Sequence, residues 1–425
     1  MRIGENFCPG VVHAVPAKDG LLLRIRVPGG LMSASQLEAV ASLSSLFADA
    51  NVEITSRANL QLRAVREEDL PEIVTALASA GLFPSPEHDR VRNVVTSPFA
   101  GIHLEEFLDT RPLVLELDRQ LQAEILFTEL HPKFSFGLHG SRQRFSRDLD
   151  DLSLEACEDR SRLRLSIAGE PTGYSVATEN AVDCLVEAAR CCIGLAKKAN
   201  IPIRAKRIIA LPAAVDQLIG SLSPMLVPCP TAPRLPAFVE MIQGAFQAGR
   251  GDLIHIVPSV PLGRLSSQQA SVIARVAKQW DGDLRLAPWR GVVLGAMPAM
   301  ATESVAEELR SVGLSWDGRD GFQGIAACAG STGCDASLAD VRGDAALLAQ
   351  RLSGKAVSSG WTVNLSGCEK QCARRHGASA ELIAHDSGYL LRIDGQDVQR
   401  NCPADSAINA IAIFQAQKFT EVATV

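Results

Sequence analysis

The chain has 425 residues, of which 47% are hydrophobic and 21% are charged, and its formal net charge is −6. This length exceeds what one hydrophobic core fills, so we expect a soluble globular protein of about two to four domain-sized units. The acidic balance argues against a general nucleic-acid binder, and the lack of a signal-peptide core or of about 18 consecutive apolar residues predicts a cytoplasmic protein without a membrane partner.

The first element of the chain recurs in its second half. Residues 28–82 and 261–314 both begin with a Pro-x-Gly pattern and end with Ser-x-Gly-Leu, a repeat far longer than those of solenoid proteins. Each copy predicts a capped helix, a strand of alternating character and a second helix closed by glycine. The capping pairs are Ser33 with Gln36 and Ser266 with Gln269, the strands are 52–54 and 284–286, and the closing glycines are Gly81 and Gly313. Each copy is therefore predicted to be a small α/β half-domain.

The segments that follow the two copies also resemble each other. Residues 108–121 and 339–352 share a helical pattern, so we expect each half-domain to precede a larger α/β domain. The connections are predicted at 85–90 and 229–238. The predicted units are 1–86, 87–228, 229–317 and 318–425.

Four cysteines form two pairs late in the chain. Cys328 and Cys334 are six positions apart in a loop of small residues, and Cys368 and Cys372 are four positions apart. In a reducing compartment such clusters indicate metal binding or redox chemistry instead of disulfides. Four thiolates suit either a 4Fe-4S cluster or a structural zinc ion, and these spacings are not typical of zinc.

The second cysteine pair carries a helix-start pattern. Ser366 and Glu369 fit a capping box, which predicts that Cys368 and Cys372 lie on one face of a helix near its N-terminus. There the helix dipole favours thiolate over thiol. Six of the other cysteines, which lack a partner at such a spacing, are interpreted as small apolar residues: Cys157, Cys184, Cys191, Cys192, Cys229 and Cys402.

The cysteine pairs and the doubled chain resemble the siroheme-dependent sulfite and nitrite reductase superfamily. The resemblance implies an α+β fold of two pseudo-equivalent halves, each with a ferredoxin-like half-domain followed by an α/β domain, and a 4Fe-4S cluster on the four cysteines. ITSRANLQLR is similar to the motif whose arginine lines the tetrapyrrole and anion site, DRVRNV to a second basic motif, and HPKFSF to the lysine motif. The substrate-binding residues implied are Arg57, Asn59, Gln61, Arg92, Asn93 and Lys133, with Arg57 and Lys133 also catalytic. Sulfite reductases carry a second lysine where this chain has Ser135.

The opening NFCPGVVHAVPAKDGLLLRIRVPGG, with Cys8 to Gly10, resembles the precorrin-3B synthase branch of this superfamily. That resemblance implies an oxidoreductase of cobalamin biosynthesis, a dioxygen-dependent monooxygenase. It would hydroxylate precorrin-3A at the meso carbon between rings A and D and close a γ-lactone, preparing ring contraction. It also implies a mononuclear non-haem iron, and the eight histidines show no ligand spacing for one; His103, His131, His139, His376 and His385 are the candidates. No nucleotide-binding motif is present, so an external electron donor is expected.

Basic residues cluster locally in this acidic chain, which fits a polycarboxylate tetrapyrrole. They are Arg57, Arg63, Arg90, Arg92, Lys133, Arg142, Arg144, Arg147, Arg204, Lys206 and Arg207. Two alternatives stay open. One is a siroheme-dependent nitrite or sulfite reductase in which Cys372 bridges cluster and haem iron, and the other is a zinc-stabilised tetrapyrrole-binding protein without catalysis.

Overall fold

The computed structural model describes residues 8–141, 143–229, 237–238, 242–249, 251–355, 360–374 and 377–422. Four units follow one another along the chain, each built mainly on one sheet, and two strand pairs cross between units. None of the helices in the described part of the chain is long and apolar enough to span a membrane. The unit boundaries given above stay predictions.

The first unit is a half-domain of antiparallel strands with two helices on one face. Its elements are β1 (Val15–Ala17), β2 (Gly20–Ile25), α1 (Ala34–Phe47), β3 (Asn51–Ile54), β4 (Leu60–Val65) and α2 (Leu70–Ser79). The predicted capping box of α1 is confirmed: the amide of Gln36 donates to Oγ of Ser33 at 3.1 Å, and the amide of Ser33 donates to Oε1 of Gln36 at 2.9 Å. Gly81 then closes α2 with a φ of 72°.

The second unit contains a six-stranded sheet. Its elements are β5 (Val94–Thr96), α3 (Arg111–Ala123), β6 (Phe136–His139), β7 (Gln143–Arg144), β8 (Leu152–Ala156), β9 (Arg162–Ile167), β10 (Glu170–Ala177), α4 (Ala181–Ala199), α5 (Ala205–Ile208), α6 (Ala214–Leu222) and β11 (Leu226–Pro228). The sheet order is β11-β10-β9-β8-β6-β5. Strands β5, β6 and β8 are parallel, and the remaining pairs are antiparallel.

The third unit repeats the first. Its elements are β12 (Ala237–Phe238), β13 (Gly244–Gln247), β14 (Leu253–Val257), β15 (Arg264–Ser266), α7 (Ser267–Gln279), β16 (Asp283–Ala287), β17 (Gly291–Pro298) and α8 (Thr302–Ser311). The second predicted capping box, Ser266 with Gln269, is also confirmed. The repeat in the sequence is therefore a repeat in structure.

The fourth unit repeats the topology of the second. Its elements are β18 (Ile325–Ala327), α9 (Gly330–Gly333), α10 (Val341–Leu352), β19 (Val363–Ser366), β20 (Ala380–His385), β21 (Gly388–Ile393), β22 (Gln396–Cys402) and α11 (Ala404–Val422). Strands β18, β19 and β20 are parallel and β20, β21 and β22 antiparallel. Helix α10 follows the first parallel strand here, as α3 follows β5 in the second unit.

The two half-domains share one hydrophobic core and exchange strand contacts. Helices α1 and α7 pack together, and the core takes Leu37 and Val40 from the first and Ile273 and Val276 from the second. Strand β15 of the second half-domain pairs with β3 of the first. These apolar contacts bury one face of the first half-domain's sheet, and its polar face is left for other contacts.

Candidate active site and cysteine loops

The cysteine loops leave the same edge of the fourth sheet. Cys328 follows β18 directly, and Cys368 comes two residues after β19, whose Leu365 is the register partner of Ala327. The amide of Cys328 donates to the carbonyl of Leu365 at 3.3 Å. Because the carboxyl ends of parallel strands meet at one edge, both loops face the same space, which is where ligands bind in open α/β sheets.

The prediction of a helix at Cys368 is wrong. Residues 367–374 form turns and bends directly after β19, and Ser366 is a buried strand residue instead of a helix cap. Gln371 has a left-handed backbone with a φ of 46°, which a helix interior does not accept. The spacing of Cys368 and Cys372 is therefore met by a tight turn.

The donor set of these loops fits an iron–sulfur cluster. Gly367 donates its amide to Sγ of Cys328 at 3.3 Å, and such a bond favours the thiolate. A Cβ at Gly367 would come within 1.7 Å of Oγ of Ser337, so only glycine allows the loops to approach this closely. All eleven cysteines lie in the described part of the chain, and none forms a disulfide.

A single metal ion, unlike an iron–sulfur cluster, needs all of its ligand atoms around one point. Among the described residues, no three His, Cys, Asp or Glu side chains lie close enough together to hold one ion. A cubane binds each thiolate through a different iron, so its ligands surround a larger object. Cys328, Cys334 and Cys368 are half-buried and Cys372 is exposed, which places the thiols at the surface of a cleft.

Four arginines outside the fourth unit form a group that reaches these loops through Arg290. Arg24 is repelled by Arg57 and Arg290, Arg26 is repelled by Arg24 and Arg57, and Arg290 interacts with the charges of Cys328 and Cys372. Arg24 in β2 and Arg26 directly after it alternate with the core residues Leu23, Ile25 and Val27, and so point to the polar face of that sheet. Arg57 lies at the tip of the β3–β4 hairpin, and Arg290 lies at the tip of the β16–β17 hairpin. Nη2 of Arg290 donates to the carbonyl of Ala373 at 2.8 Å, which joins this hairpin to the second cysteine loop.

Burial lowers the pKa values of Arg24, Arg26 and Arg290 in this group and that of the nearby Arg374. Burial, with repulsion from Arg57 and Arg290, lowers the pKa of Arg24 to about 10. Burial, with repulsion from Arg24, lowers the pKa of Arg26 to about 9. Burial also lowers the pKa of Arg290, and burial with repulsion from Arg147 lowers that of Arg374 to about 10. Several buried cations near one another are costly unless an anion compensates them.

Arg26 has the least satisfied side chain of the group. It is 2% exposed, and its Nε and Nη1 atoms are buried without a hydrogen-bond acceptor among the residues that the structure describes. Its Nη2 atom donates to the carbonyl of Arg90 at 3.3 Å. Nε of Arg57 also lacks an acceptor within hydrogen-bond distance, and its nearest carboxylate oxygen, on Asp148, is 3.9 Å away. Buried guanidinium nitrogen atoms without an acceptor can donate hydrogen bonds to the oxygen atoms of a bound ligand.

Two of the predicted binding residues, Gln61 and Asn59, hold parts of the arginine group in place. Oε1 of Gln61 accepts from Nη2 of Arg24 at 2.7 Å and from its Nε at 3.2 Å. Oδ1 of Asn59 accepts from the amide of Val27 at 2.8 Å, which fixes the hairpin of Arg57 against the end of β2. Direct contact of Asn59 and Gln61 with substrate stays a prediction.

The other predicted residues lie on the second unit. Arg92 donates from Nε and Nη2 to Asp118, each at 2.7 Å, and its role in binding stays a prediction. Nδ2 of Asn93 donates to the carbonyls of Pro132 and Phe134 at 3.0 and 3.1 Å. Asn93 thus fixes both residues that flank Lys133, which is half-buried.

Ser135, at the place of the second lysine of sulfite reductases, is fully buried. Its amide donates to Oδ2 of Asp151 at 3.1 Å, and its hydroxyl has no hydrogen-bond partner in the described part of the chain. Phe134 and Phe136 on either side belong to the core. The hydroxyl therefore points away from that core.

Several of the clustered basic residues are structural. Arg144 lies 3.4 Å from Asp150, and Nε of Arg204 donates to Asp151 at 2.9 Å. Arg142 lies outside the described residues. Sequence reasoning did not select Arg24, Arg26, Arg290 and Arg374. The alternation in LLLRIR and the hairpin repeated in the second half-domain were the signals that could have found the first three.

His131 and His139 are engaged with protein groups, whereas His103 and His255 each keep one buried ring nitrogen, Nδ1 and Nε2, without a hydrogen-bond partner among the described residues. Nε2 of His139 is 3.1 Å from Oδ2 of Asp150, and Nδ1 of His131 accepts a backbone amide at 3.0 Å. The rings of His103 and His255 are 5.3 Å apart between centroids. Burial, with repulsion from His103, lowers the pKa of His255 to about 4.

No ligand set for a mononuclear iron emerges from these residues. Nδ1 of His255 accepts the amide of Ala296 at 3.2 Å, which leaves the ring proton on Nε2. His376 lies outside the described residues, and His385 ends β20. The described residues thus do not fit a group of two histidines and one carboxylate around one ion.

Comparison with known families agrees with this architecture. The profile of the nitrite/sulfite reductase ferredoxin-like half domain matches residues 13–80 and 247–312, one match in each half. The chain therefore has a nitrite/sulfite reductase-like fold with two ferredoxin-like half-domains, and it is an oxidoreductase like its homologues.

Individual relatives cover nearly the whole chain. It is 28% identical over 407 residues to precorrin-3B synthase of Sinorhizobium sp, across 93% of this chain and 83% of the relative. It is 26% identical to ferredoxin–nitrite reductase of Synechococcus elongatus, across 89% and 78%. The structure of Mycobacterium tuberculosis NirA protein superposes with a TM-score of 0.77 at 21% identity, across 92% of this chain and 79% of that one.

Proposed function

We propose that this oxidoreductase is a monooxygenase that hydroxylates precorrin-3A at the meso carbon between rings A and D, with γ-lactone formation. The observation that carries the proposal is the arginine group of Arg24, Arg26, Arg57 and Arg290, in which Arg26 is buried and the other three are half-buried. A reduced tetrapyrrole with acetate and propionate groups offers such a group several carboxylates in addition to those of Glu53 and Asp148. The similarity to precorrin-3B synthase of Sinorhizobium sp supports the same substrate.

The arginines would hold the macrocycle by its rim. Guanidinium groups bind carboxylates through two parallel hydrogen bonds, which fixes orientation as well as position. Arg26 and Arg57 offer unsatisfied nitrogen atoms, and binding would relieve the repulsion within the group. This orientation would bring one meso carbon to the reacting position.

Lys133 and Arg57 are the proposed catalytic residues. The loop of Lys133 is fixed by Asn93, and the hairpin of Arg57 is fixed by Asn59. A fixed ammonium and a fixed guanidinium can stabilise negative charge that develops on a bound oxygen species or on the ring A acetate. Cys328, Cys334, Cys368 and Cys372 are proposed to bind a 4Fe-4S cluster, which supplies electrons one at a time when bound.

The stoichiometry of the proposed reaction defines the oxygen, electrons and protons that it needs. Insertion of one oxygen atom from dioxygen releases the other as water and consumes two electrons and two protons. The electrons would come from an external reduced donor. A mononuclear iron is left without assigned ligands for the reasons given above.

A labelling experiment tests the proposal. Protein purified without oxygen is mixed with precorrin-3A, a chemical reductant and isotopically labelled dioxygen, and the product is analysed by mass spectrometry. Gain of one labelled oxygen atom with lactone formation is expected. Unchanged precorrin-3A, in the presence of a fully loaded cluster, would contradict the proposal.

A siroheme-dependent nitrite or sulfite reductase is the second candidate. The similarity to ferredoxin–nitrite reductase of Synechococcus elongatus favours it, and reductases of this family use a 4Fe-4S cluster and siroheme. The visible spectrum separates the two: sharp siroheme bands with anion-dependent oxidation of a reduced dye indicate the reductase. A broad iron–sulfur shoulder alone indicates the monooxygenase.

A further inference from the structure

Side chains of the first half-domain reach the first cysteine loop. Helix α9 lies in the loop between Cys328 and Cys334. Nζ of Lys18 donates to the carbonyl of Ser331 at 2.7 Å, and Nη2 of Arg63 donates to the carbonyl of Gly333 at 2.5 Å. The partners are 313 and 270 residues apart in the chain. The loop is therefore held by the first half-domain, which is distant from it in sequence.

Arg63 is held rigidly for this contact. Its Nε donates to Oδ2 of Asp19 at 2.8 Å, and its Nη2 donates to Oδ1 at 3.0 Å. The residue is 5% exposed, so water screens the pair weakly. A planar guanidinium bound through two hydrogen bonds has one orientation, which points its remaining donor at Gly333.

The loop is shaped to receive this ion pair. A Cβ at Gly333 would lie 2.8 Å from Nη2 of Arg63 and 3.0 Å from Oδ2 of Asp19. The carbonyl of Gly333 belongs to the same peptide group as the amide of Cys334. A charged donor on that carbonyl polarises the peptide and fixes the backbone at the cysteine.

We propose that Asp19 and Arg63 are a positioning pair for the iron–sulfur cluster: they fix Cys334 and set the charge beside the cluster. The inference rests on the proposal that the four cysteines bind a cluster. Neither residue is a ligand, and neither is expected to contact substrate. Their effect would be on cluster retention and on its reduction potential, which responds to nearby charge and hydrogen bonds.

The two members of the pair predict opposite shifts. Arg63→Gln leaves the Asp19 carboxylate near the cluster, and added negative charge makes reduction harder. Asp19→Asn leaves the guanidinium uncompensated, and added positive charge makes reduction easier. A role limited to holding the fold would not produce shifts of opposite sign.

The experiment is an anaerobic redox titration followed by electron paramagnetic resonance, with iron and sulfide analysis of each full-length variant. We expect a more negative midpoint potential and less iron for Arg63→Gln, and a more positive potential for Asp19→Asn. Arg66→Gln is the matched control, because Arg66 also donates twice to an aspartate, Asp69, at 2.8 and 3.0 Å. Its side chain is 66% exposed, so wild-type values are expected.

Arg63→Lys covers the case in which Arg63→Gln does not fold. It keeps the charge and loses the two-pronged geometry, so iron content should fall without the negative shift. Wild-type potential and iron content in both Arg63→Gln and Asp19→Asn, or shifts of the same sign, would overturn the inference alone. A wild-type protein without iron and sulfide would overturn the cluster itself and this inference with it.

Discussion

Ala58 and Arg290 have the same left-handed backbone conformation at the tips of the two matching hairpins, with φ of 54° and 66°. The amide of each donates to the carbonyl three residues earlier, Thr55 or Ala287, at 3.0 and 2.9 Å. The turns are therefore equivalent, and their arginines are offset by one position. Two copies of one motif thus place Arg57 and Arg290 around the same space from two directions.

Replacement of Arg26 by methionine should stabilise the ligand-free protein and weaken tetrapyrrole binding. A buried guanidinium with unsatisfied donors costs about 1 to 3 kcal/mol, and methionine of similar length removes that cost. Urea unfolding measures the first effect, and fluorescence titration with a polycarboxylate porphyrin measures the second. Arg24→Met is the control, since Arg24 has an acceptor in Gln61 and should gain less stability. A loss of stability in Arg26→Met would contradict this account.

Substitution of a cluster cysteine should remove iron and sulfide together. Cys372→Ser and Cys328→Ser each delete one thiolate of four, and serine binds iron less well than thiolate. Iron and sulfide analysis with visible absorption measures the loss. Cys157→Ser is the control, because Cys157 is also half-buried and follows β8 in another unit. Equal iron content in all three variants would exclude the proposed ligand set.

Gly367→Ala should impair the cysteine loops, and a second substitution should restore them. The new Cβ would meet Oγ of Ser337 at 1.7 Å and its Cβ at 2.7 Å. Ser337→Gly removes both atoms and Ser337→Ala only the first, so the double variant with glycine should recover more cluster. Iron content after anaerobic reconstitution is the measurement. Similar recovery in both double variants would refute the steric explanation.

Stability should fall with rising pH because of Glu106. Burial raises the pKa of Glu106 from 4.5 to about 7, so the folded state keeps a proton that the unfolded state loses in this window. The stabilising contribution is complete below pH 4.5 and is lost as pH rises through about 7, by roughly 3 kcal/mol at about 1.4 kcal/mol per pH unit.

Thermal unfolding of Glu106→Gln measures this contribution. The variant should match wild type near pH 4.5 and unfold at a higher temperature at pH 8. Glu105→Gln, at the exposed neighbouring position, should show no such pH-dependent gain. A constant difference between Glu106→Gln and wild type across this range would show that ionisation of Glu106 is not responsible.

The elements set by local chemistry could be predicted from the sequence. Both capping boxes form because a serine and a glutamine three residues apart satisfy amides of their own helix. The repeat predicted two half-domains because equal patterns fold alike. The turn at Cys368 could not be predicted this way, because Ser366 is committed to β19 and Gly367 is fixed by Ser337, which lies 30 residues earlier.

The burial of the arginine group could not be predicted from local sequence patterns either. Arg24 and Arg26 read locally as the solvent face of a half-buried strand. Arg26 is nevertheless buried and Arg24 half-buried, and Arg57 and Arg290, far away in sequence, lie close enough to repel Arg24. Arg92 lay in a recognisable motif, yet its guanidinium is bound by Asp118 of α3, a tertiary contact that no local pattern encodes.

The pairing of β15 with β3 has a consequence for how the protein is made. The first half-domain leaves the ribosome with one sheet edge bare and with the side of α1 that packs on α7 uncovered. Its missing strand is synthesised about 210 residues later, which takes roughly 10 to 40 s at translation rates of about 5 to 20 residues per second. During that interval the nascent chain exposes an edge able to pair with other chains. Chaperone capacity should therefore govern the yield of recombinant protein more strongly than the stability of the finished fold.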